Sequence, residues 1–364
     1  VERHAARHAQ RARAGLAAAA LALAGLALGC QRLAPGAPTP DDAAVAIGIA
    51  FDPRRPGMEP LVQGVELAVA ELNARPEARA RGVTFAVRRA PARVVASADV
   101  ATALRDDPAV IGVVGDAESA RTLEALPVLE DRDGDGSRAV VALSPTATST
   151  VLVGRSPWLF RLSPSDDASS RAVARDAAAR GARRAAVVYR NDAFGRDWAA
   201  AFASAFRAHG GETIVRDPYL SRVMDWNVYA RALAAQRPDV VIFPAFAEDA
   251  GPFLRALIEA GLDVPVVGGD ALAPLADSSA YLGLRFATPF DPRRPHTGNG
   301  VRFVRTFRAR HGALPGVRAA LGYEAARLIG EAALAVDLGA AERRRLVRDR
   351  LAALGHVDVP AGRG

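Results

Sequence analysis

The residues that could do chemistry in this sequence are few and widely spaced. Its only cysteine, Cys30, closes an uncharged run from Ala14 to Gly29, and the histidines at 209, 296 and 311 are scattered. With no other cysteine there is no Cys nucleophile and no thiolate metal site. No lysine occurs either, which removes Schiff-base chemistry and the phosphate loop that depends on that amine. Asp131-x-Asp133-x-Asp135-Gly136 opens like a calcium loop, but Ca²⁺ wants six or more oxygens and an acidic residue at position 12. Counted from Asp131, that position is Ala142 and position 8 is Arg138. Asp131, Asp133 and Asp135 are therefore weak metal candidates, and a solvated turn is the expectation. A dinucleotide site needs Gly-x-Gly-x-x-Gly after the first strand, where "FDPRRPGME" (51–59) stands instead. No catalytic residue and no cofactor is expected.

Cys30 takes its meaning from what precedes it. Arg3, Arg7, Arg11 and Arg13 lead into the run 14–29, built of Ala, Leu and Gly and short of the ~20 residues that span a bilayer. A basic start, a short apolar stretch and a small residue at the cut describe a secretory signal peptide over 1–29. Gly29 before Cys30 resembles a bacterial lipobox, although Ala27 and Leu28 reverse the commoner order. Lipidation of Cys30 and a membrane-anchored protein facing the periplasm or the extracellular side are expected. Residues 30–42, "CQRLAPGAPTPDD", read as a flexible tether. The formal charge of +7 falls to +4 once residues 1–29, with four Arg and one Glu, are set aside. The arginines are spread along helical stretches and form no basic stripe, so a nucleic-acid partner is not expected.

The rest of the chain alternates between two periodicities. Short β-branched runs such as "AVAIGIAF", "VTFAVRR", "AVIGVVG" and "AVVALS" are separated by amphipathic stretches such as "LVQGVELAVAELNAR" and "SARTLEALPVLED". A second series after Trp158 contains "RRAAVVYR", "TIVRDPYL", "DVVIFPAF" and "VPVVGG" between further helical stretches. Strands alternating with helices imply βαβ units and parallel sheets covered on both faces. The fold class expected is α/β, two Rossmann-like lobes, with ligands bound beyond the carboxyl ends of the strands.

Those ends carry a resemblance. "GVELAVAELNAR", "VIGVVGDAES", "SPTATST", "YRNDAFGRDWA", "DVVIFPAF" and "VPVVGGDAL" occur in the order and spacing of a type I periplasmic binding protein of the branched-chain amino acid receptor family, over residues 43–338. The resemblance implies two lobes joined by crossover hinges that close on a small polar ligand and deliver it to an ABC permease in the inner membrane. It places lobe I at 43–155 plus 288–338 and lobe II at 156–287. Crossovers are expected near 154–163 and 281–289. Residues 339–364 form a C-terminal segment for which a return to lobe II is one course. It further implies that Ser119, Thr148 and the backbone N–H of Thr146 hold a ligand carboxylate. Asp270 would pair an ammonium, and Phe194 and Phe246 would form an aromatic wall.

Several positions depart from the family pattern. Phe194 and Phe246 replace tyrosines and lack the hydroxyl, Asp270 is shorter than a Glu, and Asp116 and Glu118 bring negative charge beside Ser119. For Ser119 an ordinary helix N-cap competes with the binding role. The hexapeptide "FDPRRP" occurs at 51–56 and again at 290–295, with coincidence as a competing explanation. Two readings follow: an extracytoplasmic solute-binding lipoprotein of an ABC importer, or a noncatalytic envelope lipoprotein of the same fold that regulates or senses a protein partner.

Overall fold

The computed structural model describes residues 44–220, 225–275, 283–339, 341–354, 358–359 and 362–363. The leader 1–29, Cys30 and the tether to residue 42 lie outside the described residues. The first series comprises β1 (Ala44–Ile49), α1 (Glu59–Ala74), the short α2 (Pro76–Ala80), β2 (Thr84–Arg89), α3 (Ser97–Asp106), β3 (Val110–Val114), α4 (Ser119–Leu129), β4 (Val141–Ser144) and β5 (Leu159–Arg161). The second comprises α5 (Asp166–Ala179), β6 (Arg184–Arg190), α6 (Ala193–Ala208), β7 (Glu212–Tyr219), α7 (Trp226–Gln236), β8 (Val240–Ile242), α8 (Ala247–Glu259), β9 (Val266–Gly268) and β10 (Arg285–Phe286). Then come α9 (Gly298–His311), α10 (Val317–Leu334), α11 (Arg343–Ala352) and an antiparallel pair, β11 (Asp358–Val359) with β12 (Gly362–Arg363).

Each series makes a five-stranded sheet, ordered β2-β1-β3-β4-β5 and β7-β6-β8-β9-β10. Parallel pairing joins β1 to β3, β4 and β5 in turn, and links β6 to β7, β8, β9 and β10. Both sheets therefore reverse their strand order at one place, between β1 and β3 and between β6 and β8. Loops leave such a reversal in opposite directions and open a crevice. β3 and β4 are buried along their whole length, which explains why "VIGVV" and "VALS" show no polar alternation. β5 belongs to the first sheet, so the chain crosses to the second only after Arg161.

α10 has 14 buried residues because it lies between α1, β3 and β4. Its approach to α1 is as close as backbones allow, and the glycines at the crossing, Gly64 and Gly322, have no room for a side chain. The C-terminal segment needs a correction. Its helix α11 packs on β3, β4 and α10 of the first lobe, not on the second. Arg344 is the physical reason, since it donates to the carbonyls of Arg105 (2.9 Å), Asp107 (2.5 Å), Val110 (2.7 Å) and Arg138 (2.8 Å). Those of Arg105 and Asp107 lie at the α3 C-terminus, where carbonyls lack intrahelical partners. Burial lowers the Arg344 pKa to about 10.

The two "FDPRRP" segments adopt the same turn. Asp52 Oδ1 accepts from Arg54 N at 3.0 Å and Asp291 Oδ1 accepts from Arg293 N at 2.9 Å, while Phe51 and Phe290 are buried in one core. In the acidic loop, Asp131 is buried with φ 52°, accepts from the Arg138 backbone (3.3 Å) and guanidinium (3.1 Å), and lies 3.4 Å from Arg105. Arginines thus occupy the oxygens that a cation would need. Asp133 is exposed, and Asp135 accepts from Ser137 N at 2.9 Å as an ordinary turn residue.

Candidate functional site

The two strand-order reversals open on a common cavity of about 610 Å³. Asp52 and Arg55 after β1, and Glu118 and Arg121 around the start of α4, line it from the first lobe. Arg190 and Asp192, after β6, line it from the second.

Ser119 is the first residue of α4, and the N-cap position belongs to Glu118, so the serine is not a cap. Its Oγ instead accepts the backbone N–H groups of Thr148 (3.2 Å) and Ser149 (3.1 Å), which ties the loop after β4 to the start of α4. The Ser119 hydroxyl proton is left to donate. Thr146 spends its hydroxyl on the Ala117 carbonyl at 2.6 Å, while its backbone N–H has no acceptor among the described residues. The structure thus brings Ser119, Thr146 and Thr148 together at the positive end of a helix, where an anion is favoured.

The two acids beside Ser119 do not leave free negative charge there. Asp116 turns inward, accepting from Ser97 Oγ at 3.2 Å and from the backbone N–H groups of Ala117 and Glu118. Burial, reinforced by Glu118, pushes its carboxyl up to about 7. Glu118 forms an ion pair with Arg55 and lies 3.8 Å from Arg121.

On the second lobe, Phe194 of α6 and Phe246 before α8 meet with ring centroids 5.5 Å apart. Both are buried within the core of that lobe, and the Arg190 guanidinium sits 4.8 Å above the Phe246 ring. Asp270 opens the 3-10 turn Asp270–Leu275 that follows β9. It is partly exposed to solvent. Desolvation by the protein around it raises its carboxyl to about 6, against the downward pull of Arg318.

Three groups in this region were not singled out from the sequence. Asp166, the first residue of α5, is 1% exposed and neither carboxylate oxygen makes a well-formed hydrogen bond. Burial drives its pKa up to about 8; the nearby Thr148 hydroxyl opposes this, and the charges of Asp197 and Asp270 add to it. The Asp166 backbone N–H donates to the Thr148 carbonyl of the first lobe at 2.9 Å. Asp197 of α6 bridges the lobes: it accepts from Ser149 Oγ (3.0 Å), Thr150 Oγ1 (2.7 Å) and the Thr150 backbone N–H. Arg318, near the start of α10, is the third. Asp197 lies within the stretch "YRNDAFGRDWA" that carries the family resemblance, whereas Asp166 and Arg318 stand in no such stretch.

Hydrogen bonds to a charged acceptor contribute about 1.5–3 kcal/mol each. Asp197→Ala removes a bridge that exists only while the lobes are together. Ligand affinity is expected to fall roughly tenfold by calorimetry, with circular dichroism unchanged. Unaltered affinity would show that the bridge is indifferent to closure.

A family model for periplasmic binding proteins matches residues 53–364. A Pseudomonas aeruginosa protein described as an amino acid binding protein is 27% identical over 219 residues, 58% of this chain. The match spans only 56% of that relative's length. Among solved structures, an ABC transporter substrate-binding protein from Desulfitobacterium hafniense shares 26% identity with a TM-score of 0.72, covering 88% of this chain and 92% of that one. A branched-chain amino acid transporter substrate-binding protein from Streptococcus pneumoniae, in complex with isoleucine, has a TM-score of 0.75 at 21% identity, covering 88% and 91%. At that identity the likeness is one of fold.

Proposed function

The chain belongs to the periplasmic binding protein family, and on that premise we propose that it is an extracytoplasmic solute-binding protein of an ABC importer. Two lobes close on a small polar ligand and present it to a permease in the inner membrane; binding, not catalysis, is the activity. The cavity at the two strand-order reversals supports this reading, because both lobes line it: Asp52, Arg55, Glu118 and Arg121 from the first face Arg190 and Asp192 from the second, beside the loop that Ser119 ties to the start of α4. Ser119 and the Thr146 N–H hold an anionic group, Asp270 takes a cationic one, and Phe194 and Phe246 support the wall behind it. The amino-acid description of the Pseudomonas aeruginosa relative points to a ligand of that kind. A lipid on Cys30 tethers the protein to the membrane. No helix among the described residues is long and apolar enough to cross one.

Mass spectrometry of protein recovered from the membrane fraction tests both parts. A small solute should copurify, and the same solute at a hundred times its Kd should stabilise the protein by about 2.7 kcal/mol in a thermal-shift assay. The peptide beginning at Cys30 should carry the mass of an acyl-glyceryl group. Absence of any copurifying or stabilising solute would reject the receptor, and an unmodified Cys30 would reject the anchor.

A further inference from the structure

The inner side of α9 is settled by packing. Phe303 and Phe307 are buried with ring centroids 5.6 Å apart, and Phe303 lies 4.8 Å from Tyr323 of α10. At about 100° per residue, the opposite side carries Val301, Arg302, Arg305, Arg308 and Ala309, all exposed. The three arginines follow one another at a spacing of three residues, where like charges repel. Other exposed helix arginines have an acid one turn away, as Arg171 has Asp167, Arg180 has Asp176 and Arg345 has Glu342. α9 has none to offer, because the chain between Asp291 and Glu324 contains seven arginines and no acidic residue. Arg302 donates to a neutral acceptor, Asn299 Oδ1, at 3.0 Å, and Arg305 and Arg308 form no ion pair among the described residues. The helix dipole accounts for the cations of the last turn, Arg308, Arg310 and His311, but not for Arg302 and Arg305.

This face is also partly apolar. A groove of about 540 Å³ is lined by Pro295, Val301, Val304, Arg305, Arg308 and Ala309. Val301 is 54% exposed and Leu314, just beyond the helix, 43%. The second "FDPRRP" turn ends in the groove at Pro295 and adds the exposed Arg293 and Arg294. Unpaired guanidiniums interspersed with exposed aliphatic side chains match the boundary between anionic headgroups and acyl chains. The tether supplies the proximity. Residues 30–43 precede β1 of the same lobe, and 14 residues reach at most about 50 Å when fully extended. We propose that the outward face of α9, with the turn at 290–295, is a docking surface for an anionic lipid bilayer. The guanidiniums of Arg302, Arg305 and Arg308 meet headgroup phosphates, and Val301 enters the interface beside them. Only the proximity rests on the lipid-anchored reading given above; the charge and the groove stand without it.

Co-sedimentation with vesicles tests the surface, using the chain from residue 31 so that no acyl group contributes. Residues 45–364 form a compact unit by themselves. Vesicles of phosphatidylglycerol mixed with phosphatidylcholine should bind the protein, and phosphatidylcholine alone should not. Raising the salt from about 0.1 M to about 1 M shortens the Debye length from about 10 Å to about 3 Å and should release it. Each arginine near such a surface strengthens binding about fivefold, so joint substitution R302Q, R305Q and R308Q should weaken it roughly a hundredfold. The substitutions relieve repulsion on an exposed face, and the Tm should not fall. Joint substitution R171Q, R175Q and R207Q removes the same net charge from exposed positions of the second lobe and should leave binding within a few-fold of the wild type. Equal losses from the two triple variants, binding to phosphatidylcholine alone, or binding that survives about 1 M salt would each overturn the proposal. Capture of the protein by poly-glutamate without any binding to vesicles would assign the face to an acidic protein and reject the bilayer. None of these outcomes depends on whether Cys30 is acylated, which the mass of its peptide decides separately.

Discussion

Asp166→Asn is expected to stabilise the protein by about 3 kcal/mol at pH 8 and to raise its Tm by roughly 5–10 °C. The wild-type carboxyl is buried, lacks a well-formed hydrogen bond and has its pKa raised to about 8. An unfolded chain ionises the same group near the ordinary carboxyl value of 3.8. Between those two values the folded protein holds a proton that the unfolded chain has released, so stability falls as pH rises through the window. Below pH 4 both states are protonated and the cost vanishes; above pH 8 both are ionised and it stays constant. Asp116, raised to about 7, adds a slope of the same sign. Asparagine keeps the shape of the protonated acid without the proton cost. Scanning calorimetry from pH 5 to pH 8 should show the wild-type Tm falling with pH and a flatter, higher curve for the variant. A lower Tm for Asp166→Asn at pH 8 would mean that the Thr148 hydroxyl and the Arg161 charge outweigh the cost of burying the carboxylate.

Gly64→Ala is expected to destabilise the first lobe by about 3 kcal/mol. The new Cβ would lie 2.1 Å from the Ala319 carbonyl oxygen and 2.8 Å from Tyr323 N, both backbone atoms of α10 that cannot rotate away. Gly322 on α10 meets the Leu61 carbonyl of α1 in the same manner at 2.4 Å, so the crossing is tight from both sides. The helices must separate, and the layer that includes Leu61, Val65 and Ile329 loses its packing. Gly82→Ala is the control, since its φ is +63° with nothing within 4 Å, and it should cost only about 1 kcal/mol. Chemical denaturation compares the two. Equal midpoints would show that α1 and α10 ride farther apart than described. The consequence reaches the site, because α10 carries Arg318 and α1 follows the turn at Gly57.

Much of the architecture was legible in the sequence because burial writes itself into spacing. Parallel strands covered on both faces appear as continuous apolar runs, as in β3 and β4, and the helices between them repeat with their own period. Caps were equally local: Asp192, Asp225 and Thr297 each accept from an N–H within three residues, in the order the sequence lists them. The loops at the carboxyl ends of the strands followed from topology alone. Shorter features escaped. β5 has only three residues, and α11 is held by Arg344 reaching carbonyls more than two hundred positions away.

What only the tertiary structure decided is which charges meet. Asp116 and Glu118 threatened the anion locus as sequence neighbours of Ser119, yet one turns to Ser97 and the other to Arg55. Asp166, Asp197 and Arg318 belong to three helices whose starts are separated by many residues, and no pattern of spacing along the chain announces that they come near one another's lobes. The hydrophobic pattern along a chain is set by neighbours three or four residues away and is therefore readable. The Coulomb energy of a group depends on distance in space and on burial, quantities that exist only after the lobes have formed.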